Sequence, residues 1–472
     1  MNRSGTNARA GDSDLLPVFA IIIAFTVSLG VTAAMLPMRL DEILQIAALE
    51  FHSRSSLLTS IAQTPGGAPL NYLFQSAVLK IAGNSPIAAR LVSVLFSIGA
   101  LLAFWRLAGR CSIPWPRVSL CLFAVLPVHF MIAGTARPYE QALFFLLLYT
   151  IWFLRVSSTP TLTSATLYSI FLVLCIYSEP FAFLPGVGYL LFDLRFVNRK
   201  QQRRAFWFLL PATITPLLLF LPYYLWAAHQ TNRNWIYAHI PSGSIYVQAL
   251  QTLAPDGKIG YLIAVLLLLG TAGALLRSFR LSAEPAPGVA GLFSLAGGVV
   301  TTLIFVLLLD TIDRSPVWPA HLLWIAPASI ILFFATLGWA IERGAAAQTS
   351  AGVTAAALIA MCLVVDIGYV TSDKAPDLKK EAGAVLGELN SDSCVVFVSE
   401  GLSRFLFLVF QPQLQQRECL NFRHKRAVLA IHPFVSLESR HSATGFFRGL
   451  NFTEKKNLNI GGGQIVVMEQ AE

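Results

Sequence analysis

The sequence predicts a mainly α-helical protein that crosses a membrane many times. Of its 472 residues, 55% are hydrophobic and only 12% are charged, which is far from the average of soluble proteins. The mean hydropathy is +0.64. Long apolar runs recur along the chain, and the first, at 15–36, contains no charge. At 1.5 Å per residue this run spans a hydrocarbon core of about 30 Å. No small-residue cleavage site follows it, so we interpret it as a retained span rather than a removed signal.

We predict eleven spans, at about 15–36, 89–109, 118–136, 139–155, 160–178, 180–194, 205–228, 259–276, 286–309, 316–341 and 346–370. Lys and Arg favour cytoplasmic loops. With the N-terminus inside, fourteen of them fall in inner loops and eight in outer loops. We therefore expect a cytoplasmic N-terminus at 1–14, a membrane domain at 15–371 and, after an odd number of spans, an outer segment at 372–472. The first outer loop, 37–88, is expected to contain interfacial helices.

The last hundred residues have the composition of a small α/β domain. A helical pattern begins near Lys379, and apolar runs at 394–398, 427–431 and 464–468 predict strands. Cys394 and Cys419 lie in this segment. If the segment is outside, these two thiols are able to form a bridge, provided that the fold brings them close. The sequence has no cysteine or histidine cluster with metal-ligand spacing.

Acidic residues concentrate at the predicted outer ends of the spans, so carboxylate chemistry is expected on that side. Nucleotide sugars and ATP are out of reach there, and the chain has no glycine-rich phosphate loop. A group donor on that side must arrive on a lipid. Nucleic acid is not an expected partner, because the Arg residues punctuate apolar runs rather than gathering on one face.

Asp41 and Glu42 are the first candidates for catalysis, because they follow the first span directly. If 38–50 is a helix, positions 43, 46, 47 and 50 share one face, and the carboxylates turn toward the membrane-embedded body. Transfer of a group to a hydroxyl needs a base to take the hydroxyl proton. Ordinary interfacial charge at the end of a span explains the two acids equally well.

Arg137 and Arg314 are candidates for binding a phosphate. Arg137 precedes Pro138 in a tight connection between two spans, and Arg314 follows Asp313 near the predicted tenth span. The alternatives are an Arg that extends from a span end to the interface and an Arg that pairs with its neighbouring acid. His321, inside the tenth span, is more typical of a buried structural histidine.

Several short motifs occur in a characteristic order. They are Asp41-Glu42 after the first span, Thr64-Pro65-Gly66-Gly67-Ala68-Pro69-Leu70-Asn71-Tyr72, Ala88-Ala89-Arg90-Leu91-Val92-Ser93, Ala136-Arg137-Pro138-Tyr139, and Asp313-Arg314 followed by Pro316, Trp318 and Pro319. In this order they resemble the C-type integral membrane glycosyltransferases, and more narrowly the group of protein O-mannosyltransferases and lipid A aminoarabinose transferases. The resemblance covers about residues 15 to 340.

The resemblance implies an inverting sugar transfer from a polyprenyl-phosphate donor, with the acid after the first span as base. We further predict that Arg137, Arg314 and Arg90 hold the donor phosphate, with Tyr139, Glu140 and His321 as supporting residues. Many relatives carry an acid just before the Arg, where this chain has Gly134-Thr135-Ala136, and many carry His-Pro-Pro where it has Gly67-Ala68-Pro69. Glu140 or Glu42 is the candidate to replace the missing acid.

The predicted function is therefore sugar transfer to a lipid, glycan or protein hydroxyl at the outer face of a bacterial inner membrane, with the site facing the periplasm. No cofactor is indicated, and a divalent cation is left open. The first alternative is a transporter or a flippase for lipid-linked sugars, against which the sequence shows neither paired halves nor matching broken spans. The second is an inactive scaffold whose outer domain binds a partner.

Overall fold

A computed structural model describes residues 15–36, 38, 42, 45, 46, 49, 57–63, 68–83, 85–193, 200–230, 258–280, 287–313, 323–342, 344–371, 378–398, 411–419, 425–431, 437–460 and 463–470. The first part of the chain is helical. Its helices are α1 Leu15–Met35, α2 Leu57–Gln63, α3 Pro69–Ala82, α4 Pro86–Arg110, α5 Pro116–Ala124, α6 Pro127–Ala133, α7 Tyr139–Ser158, α8 Leu162–Ser178, α9 Leu184–Asp193, α10 Lys200–Gln230, α11 Lys258–Arg280, α12 Pro287–Asp313, α13 Ile325–Ile341 and α14 Ala345–Thr371. A 3₁₀ turn, Pro180–Phe183, precedes α9.

Within the described residues each predicted span overlaps one of these helices or a pair of them, so the polytopic mainly α fold is confirmed. The predicted span 316–341 is described only from residue 323 onward. In the described part of the chain, six helices are long and apolar enough to cross a membrane, and the pair α5 and α6 makes a seventh if it is one span. Shorter apolar helices occupy the remaining predicted positions. The protein is an integral membrane protein. The helices pack closely where glycines meet: a Cβ on Gly188 of α9 would lie 2.7 Å from the Gly298 Cα of α12.

The predicted span 118–136 is broken, with α5 and α6 bent by 56°. Pro127 causes the break, because it donates no N–H to the carbonyl of Phe123 and its ring clashes with that carbonyl. His129 takes over part of the lost bonding, since its Nδ1 lies 3.0 Å from the Phe123 carbonyl oxygen. Because of the bend, the buried His129 side chain bonds to a backbone carbonyl that has lost its usual helical donor.

The described residues after α14 form an α/β unit, which confirms the predicted small C-terminal α/β fold. Its strands are β1 Ser393–Phe397, β2 Arg426–Ile431, β3 Phe452–Ile460 and β4 Gly463–Gln470, in the sheet order β1-β2-β4-β3. β1 and β2 are parallel and the other pairs are antiparallel. Helix α15, Leu378–Glu388, packs on one face of the sheet, and helix α16, Leu437–Gly449, packs on the other.

The pairing of Cys394 and Cys419 that the sequence allowed is present as a disulfide, with the Cα atoms 5.0 Å apart. Cys394 lies in β1, and Cys419 follows a 3₁₀ segment, Pro412–Arg417. The Cys419 amide donates to the Val395 carbonyl over 3.1 Å, so this segment lies along β1. The bridge fixes the segment to the edge of the sheet.

Candidate active site

The residues that follow α1 turn a polar face toward the helical body. Glu42 and Gln45 are fully buried, Ile46 is buried and Leu49 is half-buried. Their spacing, with all four in helical conformation, is that of one helix face. Of the predicted face at 43, 46, 47 and 50, only position 46 lies among the described residues, and the observed face is centred on 42, 45, 46 and 49. Hydrophobic periodicity could not locate it, because half of its members are polar.

Glu42 is held by a two-point ion pair with Arg90, which lies in the second turn of α4. The Arg90 Nε donates to one Glu42 carboxylate oxygen and Nη2 to the other, each over 2.9 Å. The two side chains are 1–2% exposed. A guanidinium presents its donors in a planar fork that matches a carboxylate, so this geometry favours the charged pair despite the cost of burial.

Arg90 also caps the end of the first span. Its Nη1 donates to the Ala33 carbonyl over 2.6 Å and to the Leu36 carbonyl over 2.8 Å. The last carbonyls of a helix have no partner within the helix, and a cation is favourable at that end of the helix dipole. We predicted that Arg90 binds the donor phosphate. The structure instead turns its guanidinium inward, toward Glu42 and the end of α1, and we revise its role accordingly.

The same carboxylate fixes the connection that carries Arg137. The Ala136 amide donates to Glu42 Oε1 over 2.7 Å. The Ser93 hydroxyl of α4 donates to the Arg137 carbonyl over 3.0 Å. The backbone on both sides of the Arg137 Cα is therefore tied to α4 and to the segment after α1. Arg137 lies where α1 ends and where α4 and α7 begin, which we call the site end of the helical body.

The Arg137 guanidinium has defined neighbours. Its Nη1 lies 3.5 Å from Gln45 Oε1 and its Nη2 lies 3.4 Å from the Tyr139 hydroxyl. Its central carbon lies 5.5 Å from the centre of the Tyr139 ring, within the range of a cation–π contact. Both hydrogen bonds are longer than the usual 2.7–2.9 Å of charge-assisted bonds. These two neutral groups help to orient the side chain, and the supporting role of Tyr139 stays a prediction.

Glu140 pairs with the histidine of the bent helix. Its Oε2 lies 3.3 Å from His129 Nε2, and both side chains are fully buried. The ring of His129 is stacked between Phe25 and Phe123, with centroid distances of 5.3 and 4.3 Å. Because His129 Nδ1 faces a carbonyl, which only accepts, Nδ1 carries a proton.

Three predicted site residues, Asp41, Arg314 and His321, lie outside the described residues. Asp41 directly precedes Glu42 in the sequence. In the described part of the chain no group of three or more His, Cys, Asp or Glu side chains is placed to hold a metal ion.

Sequence reasoning missed Gln45, Ser93 and His129, which contact partners 92, 44 and 6 residues away in the chain. Of these residues, only Gln45 had a signal in the sequence, because its spacing from Glu42 places the two side chains on one face of a helix.

No family profile matches the sequence, and no match was found among curated proteins. Solved structures are similar in fold. ArnT from Cupriavidus metallidurans in the apo state superposes with a TM-score of 0.59 and 13% identity over 95% of this chain and 97% of ArnT. The same protein bound to undecaprenyl phosphate gives 0.58 and 13% over 97% and 98%.

The predicted C-type glycosyltransferase fold is confirmed. The Archaeoglobus fulgidus oligosaccharyltransferase AglB, solved with an inhibitory peptide and a dolichol-phosphate, gives a TM-score of 0.51 and 10% identity over 87% of this chain and 69% of AglB. The likeness to ArnT extends over nearly the whole of both chains, so it includes the C-terminal α/β unit as well as the membrane helices.

Proposed function

We propose that the protein transfers a sugar from a polyprenyl-phosphate carrier to a hydroxyl of a lipid, glycan or protein acceptor at the outer face of a bacterial inner membrane. The observation that carries this proposal is the anchored Arg137. Its backbone is tied on both sides, and its guanidinium lies at the site end beside the residues that follow α1. A fixed cation at the end of a span suits a lipid phosphate.

The fold supports the choice of donor. ArnT, which shares the fold over nearly its full length, has been solved with undecaprenyl phosphate bound. AglB, with a more distant likeness, has been solved with a dolichol-phosphate. The motifs around Asp41 and Arg137 resemble the same class of enzymes. We infer that this chain takes a polyprenyl-phosphate sugar as well.

The proposed chemistry is an inverting displacement at the anomeric carbon. Asp41 accepts the proton of the acceptor hydroxyl, whose oxygen forms a bond to the anomeric carbon from the face opposite the phosphate. The bond from that carbon to the phosphate oxygen breaks, and the electron pair leaves on the lipid phosphate. Arg137 and Arg314 stabilise the negative charge on the departing phosphate. Positioning and charge stabilisation then supply most of the rate, since the phosphate is already a good leaving group.

Glu42 has a different role from its neighbour in this proposal. Its carboxylate accepts bonds from Arg90 and from the Ala136 amide, so it serves to hold the site rather than to take a proton. The disulfide between Cys394 and Cys419 supports an outer position of the C-terminal unit, because such bonds persist in oxidising compartments. In the predicted topology of eleven spans, that unit and Arg137 lie on the same side of the membrane, and we infer that the site faces the periplasm.

The test uses purified protein in nanodiscs with polyprenyl-phosphate sugars from the source membrane. We expect Asp41→Asn to lower turnover by about 100-fold or more while the dissociation constant for undecaprenyl phosphate stays unchanged. Asp392→Asn, which changes an exposed acid of the C-terminal unit, is the control and should leave turnover unchanged. Near-normal turnover of Asp41→Asn would refute the assigned base.

A deletion strain separates the transferase from the flippase. If the bent pair α5 and α6 is one span, it is a broken span, which is a feature of transporters too. Mass spectrometry of lipids and envelope glycans should show the loss of one sugar decoration, with its polyprenyl-phosphate donor retained. Loss of an entire exported lipid would favour the flippase instead.

A further inference from the structure

Three buried amide side chains form a connected network beside Arg137. Gln45 donates from Nε2 to Asn71 Oδ1 over 2.6 Å and to Gln75 Oε1 over 2.7 Å. Gln75 donates from its own Nε2 to the Ala89 carbonyl over 3.1 Å. Gln45, Asn71 and Gln75 are 0–2% exposed. The first-loop helix α3 carries two of these amides, and neither the ion pair at Glu42 nor the proposed chemistry accounts for them.

The network fixes which end of the Gln45 amide faces Arg137. A backbone carbonyl only accepts, so the Ala89 carbonyl requires the amino group of Gln75 and leaves the Gln75 oxygen facing Gln45. Two acceptor oxygens, from Gln75 and Asn71, then require the amino group of Gln45. The Gln45 oxygen is left to face the Arg137 guanidinium. The orientation of the Gln45 amide is thus set by the main chain of α4, two hydrogen bonds away.

Two routes from the start of α4 therefore converge on one residue. Through Arg90 and Glu42, α4 holds the backbone amide of Ala136. Through Ala89, Gln75 and Gln45, it reaches the guanidinium of Arg137. Because Ala89 and Arg90 are adjacent in sequence, both routes begin in the same helical turn. Main chain and side chain of Arg137 are positioned from a common point.

We propose that Gln45 is a positioning residue that aims the Arg137 guanidinium at the lipid phosphate, an inference that rests on the function proposed above. A neutral amide oxygen suits this task, because it orients the guanidinium without cancelling the positive charge that the phosphate needs. The 3.5 Å contact is long enough to shorten when the phosphate binds. Asn71 and Gln75 act on Arg137 through Gln45.

The test measures binding of undecaprenyl phosphate to purified protein in nanodiscs. We expect Gln45→Ala to raise the dissociation constant about tenfold, which corresponds to about 1.4 kcal/mol. In an Arg137→Ala background the same change should add nothing, because the group that Gln45 positions is gone. Gln75→Met, which leaves the Gln45 contact to Arg137 chemically possible but unoriented, should show a smaller rise in the same direction. It carries the test if Gln45→Ala does not fold.

Gln141→Ala is the matched control. Gln141 is also fully buried, and its amide makes no hydrogen bond within the described part of the chain. Loss of a buried glutamine as such should therefore leave the dissociation constant unchanged. Unaltered binding by folded Gln45→Ala, or additive effects of Gln45→Ala and Arg137→Ala, would overturn the inference alone. Absence of undecaprenyl phosphate binding by the unmutated protein would overturn both the inference and the proposed function.

Discussion

The site end of the membrane helices and the C-terminal α/β unit are stabilised by different means. At the site end, charged and amide side chains are buried, and Arg90, Glu42 and Gln45 join segments that are distant in the chain. In the C-terminal unit, apolar side chains of β1, β2 and β4 fill two clusters, one on each face of the sheet. A disulfide joins β1 to the segment that lies along it.

The difference follows from the surroundings of each region. Between helices in a membrane, burial of apolar side chains yields little net free energy, because lipid tails are as apolar as leucine. Polar contacts and close packing must then specify which helix ends meet. A unit in water gains free energy from apolar burial, and polar side chains can stay at its surface. We infer that the site can be damaged by loss of a single charge, whereas the α/β unit depends on its core and its crosslink.

The largest effect is expected from Glu42→Gln. The substitution leaves the Arg90 guanidinium buried beside a neutral amide, and loss of one partner of a buried ion pair costs about 3–5 kcal/mol. We expect a strongly lowered thermal unfolding temperature in detergent. The control is Glu342→Gln, because Glu342 pairs with Arg277 over 3.6 Å but is 70% exposed, and an exposed pair contributes about 0–1 kcal/mol. Equal effects of the two substitutions would contradict the burial argument.

A smaller effect, confined to the other region, is expected from Cys394→Ser. The bridge closes a loop with a sequence separation of 25 residues. Its loss should destabilise the α/β unit by about 3 kcal/mol according to the chain-entropy model. Limited proteolysis should show faster cleavage after residue 378, while binding of undecaprenyl phosphate is retained. Loss of lipid binding in the Cys394→Ser variant would mean that the two regions are not independent.

Glu140→Gln is expected to have the smallest effect of the three, although Glu140 is as buried as Glu42. Its partner is an imidazole, a group that can be neutral, whereas the partner of Glu42 is a guanidinium, which stays charged. With a neutral imidazole beside an amide, the free energy of unfolding should fall by about 1 kcal/mol, which is the usual contribution of one hydrogen bond. The thermal unfolding temperatures of Glu140→Gln and Glu42→Gln, measured under the same conditions, show which substitution is more destabilising. A loss as large as that of Glu42→Gln would show that the His129 pair is held as a rigid ion pair.

The sequence predicted the span positions because an apolar run of sufficient length can be recognised locally. It did not predict the break at Pro127, since proline also occurs in straight spans whose neighbours satisfy the freed carbonyl. Strand β3 was missed because its residues, including Glu454, Lys455 and Lys456, lack apolar alternation. In the candidate site, the sequence identified Arg137 and Tyr139 as a local motif.

The partners of the site residues were harder to predict. Arg90 contacts Glu42 across 48 residues, and the amide of Ala136 contacts it across 94. No periodic pattern in a single sequence reports such pairings. A motif of a single Arg also does not reveal whether its guanidinium faces the membrane body or the site. This is why Arg90 was predicted to bind phosphate, whereas the structure turns its guanidinium toward Glu42.

The central claim is that Arg137, and not Arg90, meets the lipid phosphate, and the dissociation constant of undecaprenyl phosphate for Arg137→Ala tests it most directly. Loss of one charge-assisted contact of about 1.5–3 kcal/mol predicts binding that is about 10- to 100-fold weaker. The thermal unfolding temperature should change little, because the backbone bonds at Ala136 and Ser93 do not involve the Arg137 side chain. Unchanged binding by a folded Arg137→Ala variant would contradict the claim.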